Sequence, residues 1–168
     1  MRGGRVWRFG DGIDTDAIIP GQYLDNQDPA FLAKHVMEGV DPTFSSKVAK
    51  GDVIVAGKRF GIGSSREQAV IALKAAGVDF VIAESFARIF YRNAVNLGVL
   101  PIVCPGCASM FESGDMIVIN LEGGKVSNAK EQHKSLDIIP LSPTISEIYL
   151  AGGLVNLLRA EIERNKHR

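Results

Sequence analysis

Three short apolar runs alternate with two helical stretches in the middle of the chain, and this alternation restricts the fold more than any other feature. The runs cover residues 53–57, 79–83 and 99–103. Helices are predicted between them over 68–77 and 86–97, with Ser85 as the cap of the second; Gly77 and Gly98 close them. Parallel strands need crossovers of this kind, so two successive units predict a parallel sheet in an α/β fold.

The segments before this region are shorter. Residues 6–9 alternate as a first strand, and residues 17–20 form a short apolar piece. Asp28-Pro29 predicts the start of a helix that runs to Glu38, with Gly39 beyond its end. Residues 41–50 are polar and predict a loop.

The last third changes character. A hairpin is predicted over 116–127 around Gly123-Gly124, followed by a strand over 136–139. A helical region begins at Thr144 and is interrupted by Gly152-Gly153. A β-rich layer packed on the α/β core fits a single domain over residues 1–168.

Length and charge exclude several classes of protein. A chain of 168 residues suits one domain with a sizeable core. The formal net charge of zero gives no indication of a nucleic-acid or membrane partner. No apolar run approaches the ~20 residues that span a bilayer, and no secretory signal is visible at residues 1–5. A cytoplasmic location is the default expectation.

The first crossover opens with a glycine-rich turn, residues 61–67. Gly61 and Gly63 allow positive φ and close approach to a ligand, and Ser64-x-x-Glu67 fits a capping box at the helix start. Free N–H groups at that helix end favour an anion, and Arg66 adds a planar fork for a carboxylate or phosphate. The alternatives are an anion site and a well-capped helix with a solvated arginine.

An acidic turn precedes this region. Asp11, Asp14 and Asp16 follow the first strand, without the glycine and glutamate spacing of a calcium loop. Aspartates here can form Asx turns. The sharper interpretation is that one of them orients an arginine or a ligand.

Two cysteines and three histidines are the remaining candidates for redox or metal chemistry. Cys104 and Cys107 form a Cys-x-x-Cys pair, which could be redox-active, half of a metal site, or only a turn at Pro105-Gly106. Four ligands are usual for a structural zinc or an iron–sulfur cluster. The chain's histidines lie at no ligand spacing, and the first of them fits a surface or core position better than a catalytic one: His35, His133 and His167.

Taken together, these motifs resemble those of a known family. The chain is similar to the small subunits of 3-isopropylmalate dehydratase and homoaconitase and to the last, swivelling domain of aconitase. The resemblance covers nearly the whole chain. Three ordered motifs carry it: Asp14-Thr15-Asp16 with Ile18-Ile19-Pro20, Gly61 to Ala69, and Ser85 to Phe90 with Asn93 and Gly98 to Pro101. The resemblance implies a swivelling β/β/α domain of aconitase type.

The resemblance also implies an enzyme of the hydro-lyase class. Water would leave a hydroxylated di- or tricarboxylic acid and return at the neighbouring carbon. A [4Fe-4S] cluster would be carried by three cysteines of a large subunit, so that this chain would bind no metal itself. The implied partners are that large subunit and a hydroxy-carboxylate substrate, without nucleic acid or membrane, and the isolated chain could self-associate.

Functional residues carry over from the family by motif position. Ser64 matches the serine that removes the proton next to a carboxylate, and Arg66 matches the arginine that grips a substrate carboxylate. Ser65 matches a serine that lines the same pocket, and Asp16 an aspartate at its edge. At a helix N-terminus beside a guanidinium, a serine alkoxide is stabilised where charge develops, which agrees with the assignment.

Substrate choice depends on the loop over residues 23–26. In the family this loop reads the group on the γ-carbon, and homoaconitases resemble Tyr-Leu-Arg-Thr there. Isopropylmalate enzymes tend to carry an apolar residue at the third position of the loop, so Asp25 fits neither pattern. If Asp25 points inward, it would repel a third carboxylate. If Asp25 points outward, Leu24 could line an apolar pocket. We expect isopropylmalate as substrate, with homoaconitate or another alkylmalate such as dimethylmalate as the alternative.

Three alternative functions, each of a different class of protein, stay open at this point. A phosphate- or nucleotide-binding module would use the same turn, although the third glycine of the dinucleotide fingerprint and the P-loop lysine are missing. A redox or cluster-carrying protein would use Cys104 and Cys107. An interaction subunit would have no catalytic residue of its own.

Overall fold

The computed structural model describes residues 2–166. Its strands are β1 (Arg2–Arg8), β2 (Val53–Ala56), β3 (Phe80–Ala83), β4 (Leu100–Val103), β5 (Met116–Asn120), β6 (Lys125–Asn128) and β7 (Ser135–Asp137). Its helices are α1 (Thr15–Ile18), α2 (Pro29–Ala33), α3 (Phe44–Lys47), α4 (Glu67–Ala75), α5 (Arg88–Leu97), α6 (Cys107–Met110), α7 (Pro143–Leu150) and α8 (Leu154–Lys166), and a 3-10 turn covers Gly21–Tyr23. No helix within residues 2–166 has the length and apolar character needed to cross a membrane.

All seven strands join one sheet, in the order β4-β3-β2-β1-β5-β6-β7. The strands β1 to β4 are parallel, which confirms the two predicted crossover units. The hairpin β5–β6 and the strand β7 are antiparallel. β1 joins the two halves, since residues 2–5 pair with β5 and residues 6–8 pair with β2.

Side chains of β2 alternate between two hydrophobic clusters, as a fully buried strand requires. Ile54 and Ala56 pack with helix residues such as Val70 of α4. Val53 and Val55 pack on the other face with β5 and β6 residues such as Ile117. The sheet curls, so that the antiparallel strands, with α6 and α7, cover one face of the parallel strands, and helices such as α4 and α5 cover the other. This arrangement confirms the predicted β/β/α class.

The region before β2 differs most from the prediction. The helix that begins at Asp28-Pro29 ends at Ala33 and does not reach Glu38. Met37 adopts a φ of 59°, its N–H donates to Ile18 O at 2.7 Å, and its side chain is fully buried. Tertiary packing thus overrides helix propensity here. The apolar piece 17–20 begins within α1, and the predicted loop 41–50 contains α3, which is anchored by fully buried Phe44.

The start of α5 was also predicted wrongly. The helix begins at Arg88, and Ala87 occupies the N-cap position without a side-chain bond. The Ser85 hydroxyl instead accepts a hydrogen bond from the Arg59 N–H at 2.9 Å. Phe86 continues in extended conformation and forms a parallel bridge with Phe60.

A buried carboxylate, Asp52, fixes the start of β2 against β1. Its Oδ2 accepts hydrogen bonds from Arg5 Nη2 at 2.6 Å, Trp7 Nε1 at 2.8 Å and the Ala49 N–H at 2.9 Å. Burial raises the pKa of Asp52, but these three bonds together outweigh it, and the net pKa lies below the ordinary value. The carboxylate is therefore ionised in the folded protein at neutral pH.

Replacing Asp52 by Asn should lower the free energy of unfolding at pH 7 by about 2 kcal/mol, because the amide loses the charge-assisted bond to Arg5. A carboxyl with a depressed folded-state pKa stabilises above its unfolded value of about 3.8 and loses that contribution as the pH falls through the lower folded value. Urea unfolding at pH 7 and pH 3 should therefore show that the difference in the free energy of unfolding between wild type and variant is smaller at pH 3.

Asp137→Asn is the matched control, since its ion pair with Lys125, at 3.2 Å, is largely exposed on both sides. That variant should lose less than about 0.5 kcal/mol. Equal losses at the two positions would contradict the importance of burial at Asp52.

Candidate functional site

Two loops that leave the carboxyl ends of neighbouring parallel strands lie side by side. The Gly61 N–H donates to Ile13 O at 2.7 Å, and the Thr15 N–H donates to Ile62 O at 2.9 Å. The Thr15 hydroxyl donates to Ser64 O at 3.0 Å. These bonds hold the acidic turn after β1 against the glycine-rich turn after β2. Ligands commonly bind at this edge of a parallel sheet.

Gly61 is required by two features of this contact. Its φ is +80°, a conformation that L side chains rarely adopt. A Cβ at this position would lie 2.2 Å from Phe90 Cγ, inside the ring's van der Waals surface. The absent side chain therefore lets the turn pass over α5.

The predicted capping box at Ser64 does not form. α4 begins at Glu67, and Arg66 occupies the N-cap position in extended backbone without a side-chain cap bond. Ser64 is exposed, and among residues 2–166 hydrogen bonds use its carbonyl and not its hydroxyl. Ser64 lies two residues before the N-cap position, so its hydroxyl is left available near the helix start.

Ser65 is exposed beside Ser64. The side-chain amide of Asn93 on α5 donates to Ser65 Oγ at 3.5 Å. This long contact places the start of α4 and the middle of α5 around the same surface.

Arg66 is held from the acidic turn. Its Nη1 donates to Asp16 Oδ1 at 3.0 Å and to Ile19 O at 3.0 Å. The Arg66 side chain is only 18% exposed, whereas that of Asp16 is 67% exposed. The hydrogen bond from Arg66, followed by one from the Gly21 N–H, lowers the pKa of Asp16. One aspartate thus orients an arginine, as the sharper interpretation of the acidic turn predicted.

The loop over residues 21–26 lies beside this ion pair. The Gly21 N–H donates to Asp16 Oδ1 at 3.1 Å, and Gln68 Nε2 of α4 reaches Leu24 O at 3.5 Å. Leu24 is half-buried and packs against the core, whereas Asp25 is exposed. The structure thus brings all six predicted site residues to the start of α4 or to the loop beside it.

The arrangement can bind a carboxylate next to an unpaired hydroxyl. Only Nη1 of Arg66 is bonded within residues 2–166, so the other N–H groups of its planar fork are left without a protein partner there. The first N–H groups of α4 have no side-chain cap. These groups favour negative charge at the position of the Ser64 hydroxyl.

Sequence reasoning missed three residues that build the site. Thr15 pins Ser64, Gly21 holds Asp16, and Gln68 holds the loop of Leu24. Thr15 was visible as a polar residue between two aspartates, but its burial was not. The other two act through a backbone N–H and a backbone carbonyl partner, which sequence patterns do not reveal.

The cysteines lie elsewhere. Cys104 and Cys107 are free and buried, and the Cys107 thiol donates to Ala56 O at 3.4 Å. Within the described part of the chain, no three His, Cys, Asp or Glu side chains are placed to hold a metal ion. His35 bonds to Glu38, and His167 lies outside the described residues.

The fold is that of a domain class known from aconitases. The sequence profile of the aconitase C-terminal domain matches residues 14–106, which contain both turns and both crossover units. That match covers more than half of the chain, so the class rests on sequence as well as on topology.

Similar proteins define the family more narrowly. The 3-isopropylmalate dehydratase small subunit 1 of Methanopyrus kandleri is 59% identical over 94% of this chain and 92% of its own. The corresponding small subunit of Sulfurisphaera tokodaii is 50% identical over 97% and 96%. The crystal structure of a 3-isopropylmalate dehydratase from Methanocaldococcus jannaschii has a TM-score of 0.91 at 47% identity and covers 99% of this chain and 98% of that one. This chain belongs to the family of 3-isopropylmalate dehydratase small subunits.

Gly61→Ala should lower the free energy of unfolding by about 3 kcal/mol, because a left-handed alanine is strained and its Cβ meets Phe90. Thermal and urea unfolding of the full chain measure this loss. Gly114→Ala is the matched control: its φ is +93°, but its Cβ would meet nothing within 4 Å. It should lose only about 1 kcal/mol, and equal losses would show that the Phe90 contact is unimportant.

Proposed function

We propose that this chain is the small subunit of a 3-isopropylmalate dehydratase, which interconverts 2- and 3-isopropylmalate by dehydration and rehydration. The observation that carries this proposal is the exposed, uncommitted hydroxyl of Ser64 at the start of α4, beside an arginine held by Asp16. The names of the relatives support the substrate. The same names indicate a role in leucine biosynthesis, and a biosynthetic role favours the cytoplasm.

Ser64 is the proposed base. A serine hydroxyl is a weak base in water, so its environment must stabilise the charge that develops as it takes a proton from carbon. The uncapped N–H groups of α4 and the guanidinium of Arg66 supply that stabilisation without rearranging. Ser64 accordingly removes the proton next to a substrate carboxylate and returns one during rehydration.

Arg66 is the proposed carboxylate grip, and Ser65 and Asp16 support it. The bonds to Asp16 and Ile19 fix one edge of the guanidinium, so binding costs little side-chain freedom. The free edge can take a substrate carboxylate in two parallel hydrogen bonds. Ser65 adds a hydroxyl to the same surface, and together these groups orient the reacting carbon towards Ser64.

The iron–sulfur cluster in this proposal belongs to the large subunit. The names of the relatives, which are small subunits, support that division of roles. A [4Fe-4S] cluster with one open iron position supplies a Lewis acid for the hydroxyl group that leaves. This chain would then provide the base and the carboxylate grip on the opposing side of the substrate.

The surface around Ser64 suits a large subunit. Ile62 and Ile89 are apolar side chains that are 37% and 51% exposed. Ile62 lies in the glycine-rich turn, and Ile89 lies one helical turn before Asn93, which contacts Ser65. In this proposal they form an apolar rim beside the polar site, which the large subunit would cover. Self-association of the isolated chain stays a separate prediction.

The loop over residues 23–26, here called the specificity loop, favours an alkyl substituent on the substrate over a third carboxylate. Asp25 is exposed, whereas Leu24 packs towards the core beside the start of α4. An apolar Leu24 fits the isopropyl group, and an aspartate nearby disfavours a tricarboxylate. A homoaconitase would need a cation in this loop to pair with the third carboxylate of its substrate. Residues 23–26 of this chain contain none.

Ser64→Ala should lower kcat for 3-isopropylmalate by at least about a thousandfold in the complex reconstituted with the large subunit, because the base is lost. Absorbance of the alkene intermediate measures the rate. Iron content and co-purification with the large subunit should not change. Near-normal turnover would remove Ser64 from this role, and lost assembly would favour the interaction-only interpretation.

Ser65→Ala is the matched neighbour. It should raise KM by about tenfold with a much smaller change in kcat, since Ser65 binds and does not take the proton. In the same assay, more efficient use of homoaconitate than of isopropylmalate by the wild-type complex would overturn the substrate assignment.

Ile89→Asp should weaken binding to the large subunit by at least about thirtyfold, because it places a charge in a covered apolar rim. Met116→Asp is the control, as Met116 is 44% exposed on the antiparallel β5. It should change affinity by less than about twofold. Sedimentation or titration calorimetry measures both, and equal effects would place the interface elsewhere.

A further inference from the structure

An aromatic cluster lies behind the specificity loop. The ring of Tyr23 stacks on the ring of His35, with centroids 3.8 Å apart and planes inclined by 17°. Phe31 meets Tyr23 edge-on at 5.9 Å and His35 at 4.9 Å. Tyr23, the last residue of the Gly21–Tyr23 turn, is thus packed between His35 and Phe31.

Glu38 completes the cluster from the segment that follows α2. Its Oε1 accepts a hydrogen bond from the Tyr23 hydroxyl at 3.0 Å, and its Oε2 lies 2.7 Å from His35 Nδ1. The hydrogen bond with His35 lowers the pKa of Glu38, and the bond from Tyr23 lowers it further. Burial raises this pKa, but the net pKa lies below the ordinary value. One ionised carboxylate thus holds both members of the stack, each in a single orientation.

Tyr23 links this clamp to the site. Two residues before it, the Gly21 N–H donates to Asp16; one residue after it, the Leu24 N–H donates to Gly21 O at 3.3 Å. Within residues 2–166, the Leu24 carbonyl accepts only long bonds, from Gln68 at 3.5 Å and from Gln27 at 3.3 Å. Tyr23 is held more firmly, since its N–H donates to Pro20 O at 3.0 Å and its hydroxyl donates to Glu38 at 3.0 Å. The Tyr23 side chain is therefore an anchor of the turn that carries Leu24.

We infer that Tyr23, clamped by Glu38 and His35, is a positioning residue that sets substrate selectivity through Leu24. This inference rests on the proposed function. In this proposal the clamp acts only through the turn. It fixes the position of Leu24, which would border the alkyl group of the substrate, so its effect should grow with the size of that group.

The experiment compares kcat/KM for 3-isopropylmalate and for 3-methylmalate in the reconstituted complex. Tyr23→Phe removes the hydroxyl and keeps the ring, Glu38→Ala removes its acceptor, and Glu38→Gln keeps an oxygen that can accept from Tyr23. Tyr149→Phe is the matched control, because its hydroxyl accepts a bond from Arg2 at 3.1 Å, between α7 and β1.

Tyr23→Phe and Glu38→Ala should each lower kcat/KM for 3-isopropylmalate by about tenfold and leave that for 3-methylmalate within about twofold. Glu38→Gln and Tyr149→Phe should keep the ratio between the two substrates within about twofold of wild type. The double variant Tyr23→Phe/Glu38→Ala should be no worse than either single one, because both remove the same bond.

An unchanged ratio in Tyr23→Phe and Glu38→Ala, or an equal loss on both substrates, would overturn the inference. A wild-type complex without isopropylmalate turnover would instead overturn the proposed function. Amide hydrogen exchange of the same complexes tests the clamp independently of activity. The Gly21 and Leu24 amides should exchange at least about tenfold faster in Tyr23→Phe and at the wild-type rate in Tyr149→Phe, and unchanged exchange would also overturn the inference.

Discussion

The site depends on the backbone contact between the turns that follow β1 and β2. Two main-chain hydrogen bonds, Gly61 N–H to Ile13 O and Thr15 N–H to Ile62 O, bring the turns into register. Only a glycine at position 61 permits this, since any Cβ would enter the ring of Phe90. Once the turns are paired, Asp16 lies within reach of Arg66 and the Ser64 hydroxyl is left at the uncapped start of α4.

The rest of the fold supports that contact and leaves its outer side open. The parallel strands are buried on both faces, by helices on one and by the antiparallel strands on the other, so the turns rest on a rigid base. The proposed chemistry requires an accessible Ser64, and Ser64 is exposed together with Ile62 and Ile89. In the proposed function, the large subunit would complete the site at this surface.

Much of this could be predicted from the sequence, because its signals are local. Apolar runs, closing glycines and the Asp28-Pro29 start gave the crossover units, the hairpin and several helix ends. Predictions failed where tertiary contacts override local preference: buried Met37 ends the helix after Ala33, and neither Ser64 nor Ser85 caps a helix. The Arg66–Asp16 pair joins residues 50 positions apart and was foreseen only as a general possibility. The Tyr23–Glu38 bond had no sequence signal, since Glu38 belongs to no recognisable motif and lies 15 positions from Tyr23.

The central claim is that the Ser64 hydroxyl takes a proton from substrate carbon while Arg66 holds the neighbouring carboxylate. The most direct test is a crystal structure of the complex with its large subunit and 3-isopropylmalate bound. The account predicts Ser64 Oγ within about 3.5 Å of the carbon that loses its proton, with the carboxylate on that carbon paired to the free edge of Arg66. A substrate bound with Ser64 Oγ more than about 6 Å from that carbon, or with another side chain in its place, would contradict it.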